Sequence, residues 1–155
     1  MQKKITTFLT FNDQAEAAAL LYTSIFAGSK ITSRTPGPGG TLMAVTFELA
    51  GQEMMALNGG PSFKFEQGFS LFVSCDTQAE VDAYWNALTE GGAEQPCGWL
   101  KDRFGVSWQV VPTVLGEMLR DADPARAGRV MQALMQQTKL EIDALRRAYD
   151  GGSTT

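Results

Sequence analysis

Apolar and polar residues follow two different periodicities along this chain, the alternation of a strand and the spacing of a helix. Alternating apolar residues, many of them β-branched or aromatic, predict strands at 5–11, 29–35, 41–49 and 52–57. After the first strand, apolar residues at helical spacing predict a helix that is capped by Asn12 or Asp13 and ends at Gly28. The Pro/Gly-rich stretch 36–40 predicts a loop. The first half of the chain therefore has the order β-α-β-β-β.

The second half repeats this order. Strands are predicted at 69–75, near 93–97 and 99–103, and at 106–111, with a helix that is capped by Asp76 or Thr77. Gln14-Ala15-Glu16 recurs 64 residues later as Gln78-Ala79-Glu80, and Gly51 recurs 54 residues later as Gly105. We therefore expect an α+β fold of two tandem β-α-β-β-β modules, 1–60 and 61–112, within one structural domain.

A helical extension is predicted over residues 113–155, with Asp123-Pro124 at the start of its main helix. Its apolar stripe comprises Val130, Met131, Leu134, Met135, Leu140, Ile142, Leu145 and Tyr149. Burial stabilises a fold by roughly 1.5–3 kcal/mol for each large apolar side chain, so we expect the stripe to pack against another surface. The chain's own sheet and a second subunit are the alternative surfaces. We predict a homodimer, with Leu134 and Leu145 at or near the contact.

Composition narrows the classes of partner. The 155 residues are 44% hydrophobic and 19% charged, which suits a folded core. A net charge of −4 without a basic run argues against nucleic acid. No apolar run reaches the roughly 20 residues of a membrane span, and no long apolar stretch follows Lys3 and Lys4 as in a signal peptide. We therefore expect no membrane partner and a cytoplasmic location.

Histidine is absent, which excludes a Ser-His-Asp triad and any His-ligated zinc site. Acid-base chemistry would depend on carboxylates, Tyr or Lys. The two cysteines, Cys75 and Cys97, form no CxxC pair, and both are predicted to be reduced, buried thiols.

Two segments carry a family resemblance. They are Leu57-Asn58-Gly59-Gly60-Pro61-Ser62-Phe63-Lys64-Phe65 and the run from Cys97-Gly98-Trp99 through Gly105-Val106-Ser107-Trp108-Gln109 to Pro112. With the repeated β-α-β-β-β order, they resemble the PhnB-like branch of the vicinal-oxygen-chelate superfamily, which includes glyoxalases and bleomycin-resistance proteins. This branch often carries the name 3-demethylubiquinone-9 3-methyltransferase, so the resemblance implies that fold and raises the question of methyl transfer.

The Gly-rich loop does not favour a methyltransferase. An S-adenosylmethionine site usually places such a loop between a strand and a helix, whereas 36–40 lies between two predicted strands. Pro36 and Pro38 also remove backbone N–H donors. We therefore expect no cofactor and interpret 36–40 as a flexible loop.

In metal-using relatives, the first, fourth, fifth and eighth strands each supply one ligand. The resemblance and the repeat carry these positions onto Thr6, Met55, Ser70 and Gln109. These neutral side chains suit a divalent ion poorly, since such sites use carboxylates, imidazole or thiolate. We predict no metal site, and glyoxalase- or dioxygenase-type catalysis is correspondingly disfavoured.

Strand alternation predicts which side chains share the inner face of each sheet. The predicted ligand-binding residues are Thr6, Phe8, Thr10, Met55, Ser70, Phe72, Trp99, Phe104 and Gln109. The alternative is that the inward side chains fill a closed core. Glu53 is the one carboxylate on this face and a candidate catalytic base, whose pKa would rise if it were desolvated. The aromatic residues Phe63, Phe65, Trp99 and Phe104 could rim the opening or belong to the core. The charged residues Lys64, Lys101, Asp102 and Arg103 could orient a polar ligand or form surface and turn structure.

Three functions remain open. The leading hypothesis is a protein that binds or sequesters a small, fairly apolar molecule. The alternative is an enzyme of unknown reaction that uses Glu53 or a transiently bound ion. A third is an assembly partner built around the C-terminal helices. The fold alone does not decide between these three functions.

Overall fold

Each half of the repeat folds into a four-stranded mixed sheet with one helix. In the computed structural model, which describes residues 3–152, the first sheet comprises β1 (Thr7–Phe11), β2 (Lys30–Pro36), β3 (Leu42–Leu49) and β4 (Gln52–Asn58). The strand order is β1-β4-β3-β2, and β1 and β4 are parallel while the other neighbours are antiparallel. Helix α1 (Ala15–Ile25) connects β1 to β2.

The first sheet has one buried and one open face. Leu9, Phe47 and Met54 are almost completely buried on the side that packs against α1. On the other side Phe8, whose neighbours in β1 point the opposite way, is 51% exposed. Successive residues of the strands thus alternate between a face that is buried against α1 and a face that is open.

The start of α1 differs from its prediction. The helix begins at Ala15, and its N-cap residue Gln14 makes no side-chain capping bond. Instead the Asn58 carboxamide, at the end of β4, accepts a hydrogen bond from Ala15 N–H at 2.8 Å. The prediction of Asn12 or Asp13 as the cap is therefore wrong, because a residue distant in sequence satisfies this orphan donor.

The second sheet has the same plan. It comprises β5 (Leu71–Cys75), β6 (Ala93–Glu94), β7 (Trp99–Lys101) and β8 (Ser107–Pro112), in the order β5-β8-β7-β6. Helix α2 (Gln78–Thr89) begins at the predicted cap Thr77, whose hydroxyl accepts a hydrogen bond from Glu80 N–H. The two sheets and their helices confirm the predicted tandem fold, although 96–98 forms a tight turn rather than part of a strand.

The chain divides into two units, 1–64 and 65–155, so the C-terminal helices belong to the second unit. These are α3 (Thr113–Leu119), α4 (Pro124–Met135) and α5 (Ile142–Tyr149). They form a core with Val111, in which Leu140 and Leu145 are completely buried. Leu145 is therefore covered by its own chain, whereas Met131 and Met135 are exposed, and the homodimer with Leu134 and Leu145 at or near the contact stays a prediction.

Hydrogen bonds fasten the extension to the second sheet's helix. The Gln78 side chain donates to Leu140 C=O at 2.9 Å and accepts from Ile142 N–H at 2.7 Å.

Among residues 3–152, no helix combines the length and the hydrophobicity that crossing a membrane requires.

Candidate functional site

The two sheets place predicted site residues at equivalent points of their registers. Phe8 of β1 lies beside Met55 of β4, and Phe72 of β5 lies beside Gln109 of β8. The first pair and the second pair are separated by the same 64 and 54 residues that the sequence repeat gives. The register therefore confirms the repeat, and each open sheet face carries its own half of the predicted site.

On the open face of the first sheet, a hydroxyl is tied to a carboxylate. Thr6 Oγ1 donates to Glu53 Oε1 at 3.0 Å, and both side chains are half-buried. Phe8 and Met55 give this face its apolar character. The Glu53 side chain is thus positioned by the Thr6 hydroxyl, and its role as a base stays a prediction.

Thr10 lies at the far end of the same face, next to the Asn58-Gly59-Gly60 turn. A Cβ at Gly59 would lie 2.5 Å from Thr10 Cγ2 and 3.1 Å from the Phe63 ring, so this close approach requires glycine. Phe63 is 55% exposed, and its role at the rim of a binding site stays a prediction.

On the open face of the second sheet, Gln109 Nε2 donates to Ser70 Oγ at 3.0 Å. Phe72 in the neighbouring strand is 57% exposed, although phenylalanine is usually buried. An exposed aromatic ring beside a fixed amide is the combination that small-molecule sites use for apolar contact and orientation.

A cavity of about 560 Å³ lies over this part of the second sheet. Three predicted ligand-binding residues, Phe72, Trp99 and Gln109, line it together with Ser74 and Val111. The predicted residue Phe104 lies in the turn between β7 and β8 and is not among the lining residues. The volume falls within the roughly 300–1,000 Å³ of ligand pockets.

One wall of the cavity comes from the C-terminal helices. Its lining residues are Thr113, Leu115, Gly116, Glu117, Leu119 and Arg120 of α3 and the residue after it, with Leu134 of α4. A Cβ at Gly116 would lie 2.9 Å from Arg120 Nη1, so the guanidinium folds back over this glycine. Opposite charges, Glu117 and Arg120, therefore lie on an otherwise apolar wall.

Only one of the two cysteines is buried as predicted. Burial, with the nearby carboxylates of Glu80 and Asp76, raises the pKa of the Cys75 thiol to about 11. The prediction is wrong for Cys97, which is half-buried, lines the cavity and adopts a left-handed φ of 64°. Its Sγ lies 3.9 Å from Met135 Sδ.

Asp102 anchors the turn between β7 and β8. Its Oδ1 accepts hydrogen bonds from Phe104 N–H at 2.9 Å and Val106 N–H at 3.0 Å, and its Oδ2 accepts from Trp108 Nε1 at 2.8 Å. The side chain is 3% exposed. Of the two roles considered for Asp102, the structure supports the turn rather than the ligand.

The comparisons with known proteins identify the family. A model of the 3-demethylubiquinone-9 3-methyltransferase family matches residues 3–111. The chain belongs to this family.

Solved structures agree with this assignment. The chain is similar to a PhnB protein from Bacillus cereus, at 36% identity and a TM-score of 0.68, over 72% of this chain and all of the other. It is also similar to protein PA1353 from Pseudomonas aeruginosa, at 26% identity and a TM-score of 0.59, over 72% of this chain and 98% of the other. No curated protein matches the sequence.

The fold also occurs in the fosfomycin resistance protein FosX from Listeria monocytogenes, solved with Mn(II) and sulfate. The identity is 18% and the TM-score 0.58, over 77% of this chain and 99% of FosX, so this likeness concerns the fold. It raises the question of whether the family member described here could hold a metal ion.

The side chains at the carried-over ligand positions do not fit such an ion. Thr6 and Ser70 offer hydroxyls, Met55 a thioether and Gln109 an amide, none of which supplies negative charge. The Thr6 hydroxyl bonds to Glu53, and Ser70 bonds to Gln109. Across residues 3–152 there is no group of three or more His, Cys, Asp and Glu side chains that could surround a metal.

The family name refers to methyl transfer, and the Gly-rich stretch was the sequence feature closest to a cofactor loop. The structure places it between β2 and β3, where Pro38–Gly40 forms one 3₁₀ turn that leads into a strand. The strand–loop–helix arrangement of a dinucleotide or methyl-donor site is therefore not formed there.

Sequence reasoning missed the wall formed by α3. Gly116 lies in α3 and Arg120 directly follows it, whereas the apolar stripe identified in the sequence begins at Val130. The only local signal is a glycine inside a helical segment, which often marks a close approach.

Proposed function

We propose that this family member binds or sequesters a small, largely apolar molecule in the cavity over the second sheet, without using a metal ion. The observation that supports this most directly is that Phe72, Trp99 and Gln109, all predicted from sequence, line one cavity of about 560 Å³. A cytoplasmic location remains part of the proposal.

The chemistry of the lining favours binding. Aromatic and aliphatic side chains dominate the cavity, and the Gln109 carboxamide is held in place by Ser70 at 3.0 Å. A ligand that covers Phe72 would remove exposed aromatic surface from water, at about 25 cal/mol for each Å² buried. A fixed amide could then orient a polar group on that ligand.

Catalysis by Glu53 is less well supported. Glu53 lies in the first unit, where Thr6 holds its carboxylate, and it does not line the cavity of the second unit. Binding therefore needs only groups that the cavity already contains, whereas the predicted base Glu53 is not among its lining residues.

Fluorescence titration with N-phenyl-1-naphthylamine, a neutral aromatic probe, tests the proposal. We expect saturable binding of about one probe per chain. Ser74→Trp fills the cavity with an indole and should abolish this binding. Ala83→Trp places the same indole at an exposed position of α2 and should leave it unchanged.

The opposite pattern would contradict the proposal. If the Ser74→Trp protein binds the probe as well as Ala83→Trp does, the cavity is not the binding site. Far-ultraviolet circular dichroism and urea denaturation of both variants verify that the fold is retained.

A further inference from the structure

The wall that closes the cavity lies outside the part of the chain that matches the family. The family model covers residues 3–111, whereas α3 begins at Thr113. The Bacillus cereus relative is covered completely by 72% of this chain. The extension therefore adds to the second sheet a surface that the family match does not include.

This wall is apolar apart from its two charges and the Thr113 hydroxyl. Leu115 is 6% exposed, and Leu119 and Leu134 are partly buried, so these side chains form a continuous surface with Val111. The aromatic rings of Phe72 and Trp99 line the same cavity. The body of a ligand in this space would be apolar.

Arg120 supplies a cation at the same wall. Gly116 lacks a side chain, and the guanidinium lies over its backbone, within the lining of the cavity. In the part of the chain that the structure describes, no ion pair involves Arg120. The Thr113 hydroxyl already donates to Asp76 at 3.4 Å, so the guanidinium is the stronger donor available on this wall.

We propose that the extension makes the cavity selective for a small amphipathic anion. This inference rests on the proposed function. The apolar body lies between the aromatic rings and the leucines, and the anionic head group bonds to Arg120, whose planar guanidinium matches a carboxylate or sulfonate. Glu117 lies on the same wall and opposes an anion, so its effect on binding has the opposite sign.

Two probes with the same aromatic body test this selectivity. 8-Anilinonaphthalene-1-sulfonate carries a sulfonate, and N-phenyl-1-naphthylamine lacks it. Each is titrated into the wild-type protein, Arg120→Gln, Glu117→Gln and the control Arg146→Gln, which removes an exposed arginine of α5 outside the cavity.

We expect the wild-type protein to bind the sulfonate more tightly than the neutral probe. Arg120→Gln should weaken sulfonate binding about tenfold, the loss of one charge-assisted hydrogen bond, and change the neutral probe's affinity less than about twofold. Glu117→Gln should strengthen sulfonate binding, and Arg146→Gln should leave both affinities unchanged.

The inference is overturned if Arg120→Gln has no more effect on the sulfonate than Arg146→Gln has. It is also overturned if Glu117→Gln is the variant that weakens binding. In both cases saturable binding of the neutral probe would leave the proposed function intact. If neither probe binds, the proposed function fails together with the inference.

Discussion

Replacing the buried Asp102 carboxylate should unfold the turn that carries two cavity residues. Asp102 accepts hydrogen bonds from Phe104 N–H, Val106 N–H and Trp108 Nε1, at 2.9, 3.0 and 2.8 Å. The turn joins β7, which contains Trp99, to β8, which contains Gln109. Stability and ligand binding should therefore fall together.

The size of the effect follows from the number of donors that lose a partner. Hydrogen bonds to charged groups contribute about 1.5–3 kcal/mol each, and a buried donor without a partner costs about 1–3 kcal/mol. Asp102→Ala leaves three N–H donors without an acceptor, so we expect the free energy of unfolding to fall by about 3–5 kcal/mol after allowing for non-additivity. Asp102→Asn keeps one acceptor oxygen but turns an NH₂ group towards the Trp108 N–H, and should lose about 1.5–3 kcal/mol.

Urea denaturation followed by far-ultraviolet circular dichroism measures these losses, with Asp13→Asn as an exposed control expected to stay within about 0.5 kcal/mol of wild type. Hydrogen exchange should accelerate over 99–109 and not over 42–58. The double variant with Trp108→Phe should show a coupling energy near 1 kcal/mol. Wild-type stability for Asp102→Asn, or strictly additive effects in the cycle, would refute the anchoring role.

Four further predictions follow from other parts of the molecule. Cys97 should react with a thiol reagent at pH 8 and be protected by the bound neutral probe, whereas Cys75, with its pKa raised to about 11 by burial, should react only after unfolding. A hydrogen bond from Lys139 at 2.8 Å lowers the pKa of Asp82, so this pair stabilises the fold above the unfolded pKa of about 4 and not in more acidic solution. Lys139→Met should therefore cost about 0.3–1 kcal/mol in urea denaturation at pH 7, and the difference should vanish as the pH falls through the native pKa of Asp82; a constant difference down to pH 2 would contradict this. Calorimetry should show no saturable binding of S-adenosylmethionine, and micromolar affinity would reverse our interpretation of the Gly-rich loop. The homodimer stays a prediction that must use exposed side chains such as Met135, which is 62% exposed; a single species near 16.8 kDa in sedimentation equilibrium at tens of micromolar would refute it.

Local sequence patterns predicted the fold well because each half of the chain independently indicated the order β-α-β-β-β. The 64- and 54-residue offsets related Thr6 to Ser70 and Met55 to Gln109, and the observed registers, which pair Phe8 with Met55 and Phe72 with Gln109, have the same two offsets. Strand alternation also identified the faces, since one face of each sheet is buried against a helix.

What could not be predicted depends on contacts between residues that are distant in sequence. The capping of α1 by Asn58 spans 43 residues, and no spacing rule within the helix reveals it. The burial of Asp102 likewise depends on the fold of a whole turn, so it was indistinguishable from the neighbouring surface charges Lys101 and Arg103. The cavity wall of α3 was missed because packing and binding use the same apolar side chains.

The contrast between Gln14 and Gln78 shows how a duplicated segment can take on separate duties. Both occupy the same place in their modules, yet Gln14 makes no side-chain capping bond, whereas the Gln78 carboxamide holds Leu140 and Ile142 of the extension. Contacts with the extension thus constrain the residue type at Gln78 and not at Gln14. In a relative that ends after β8, the position of Gln78 would be free to change, so glutamine there should accompany the extension through evolution and disappear with it.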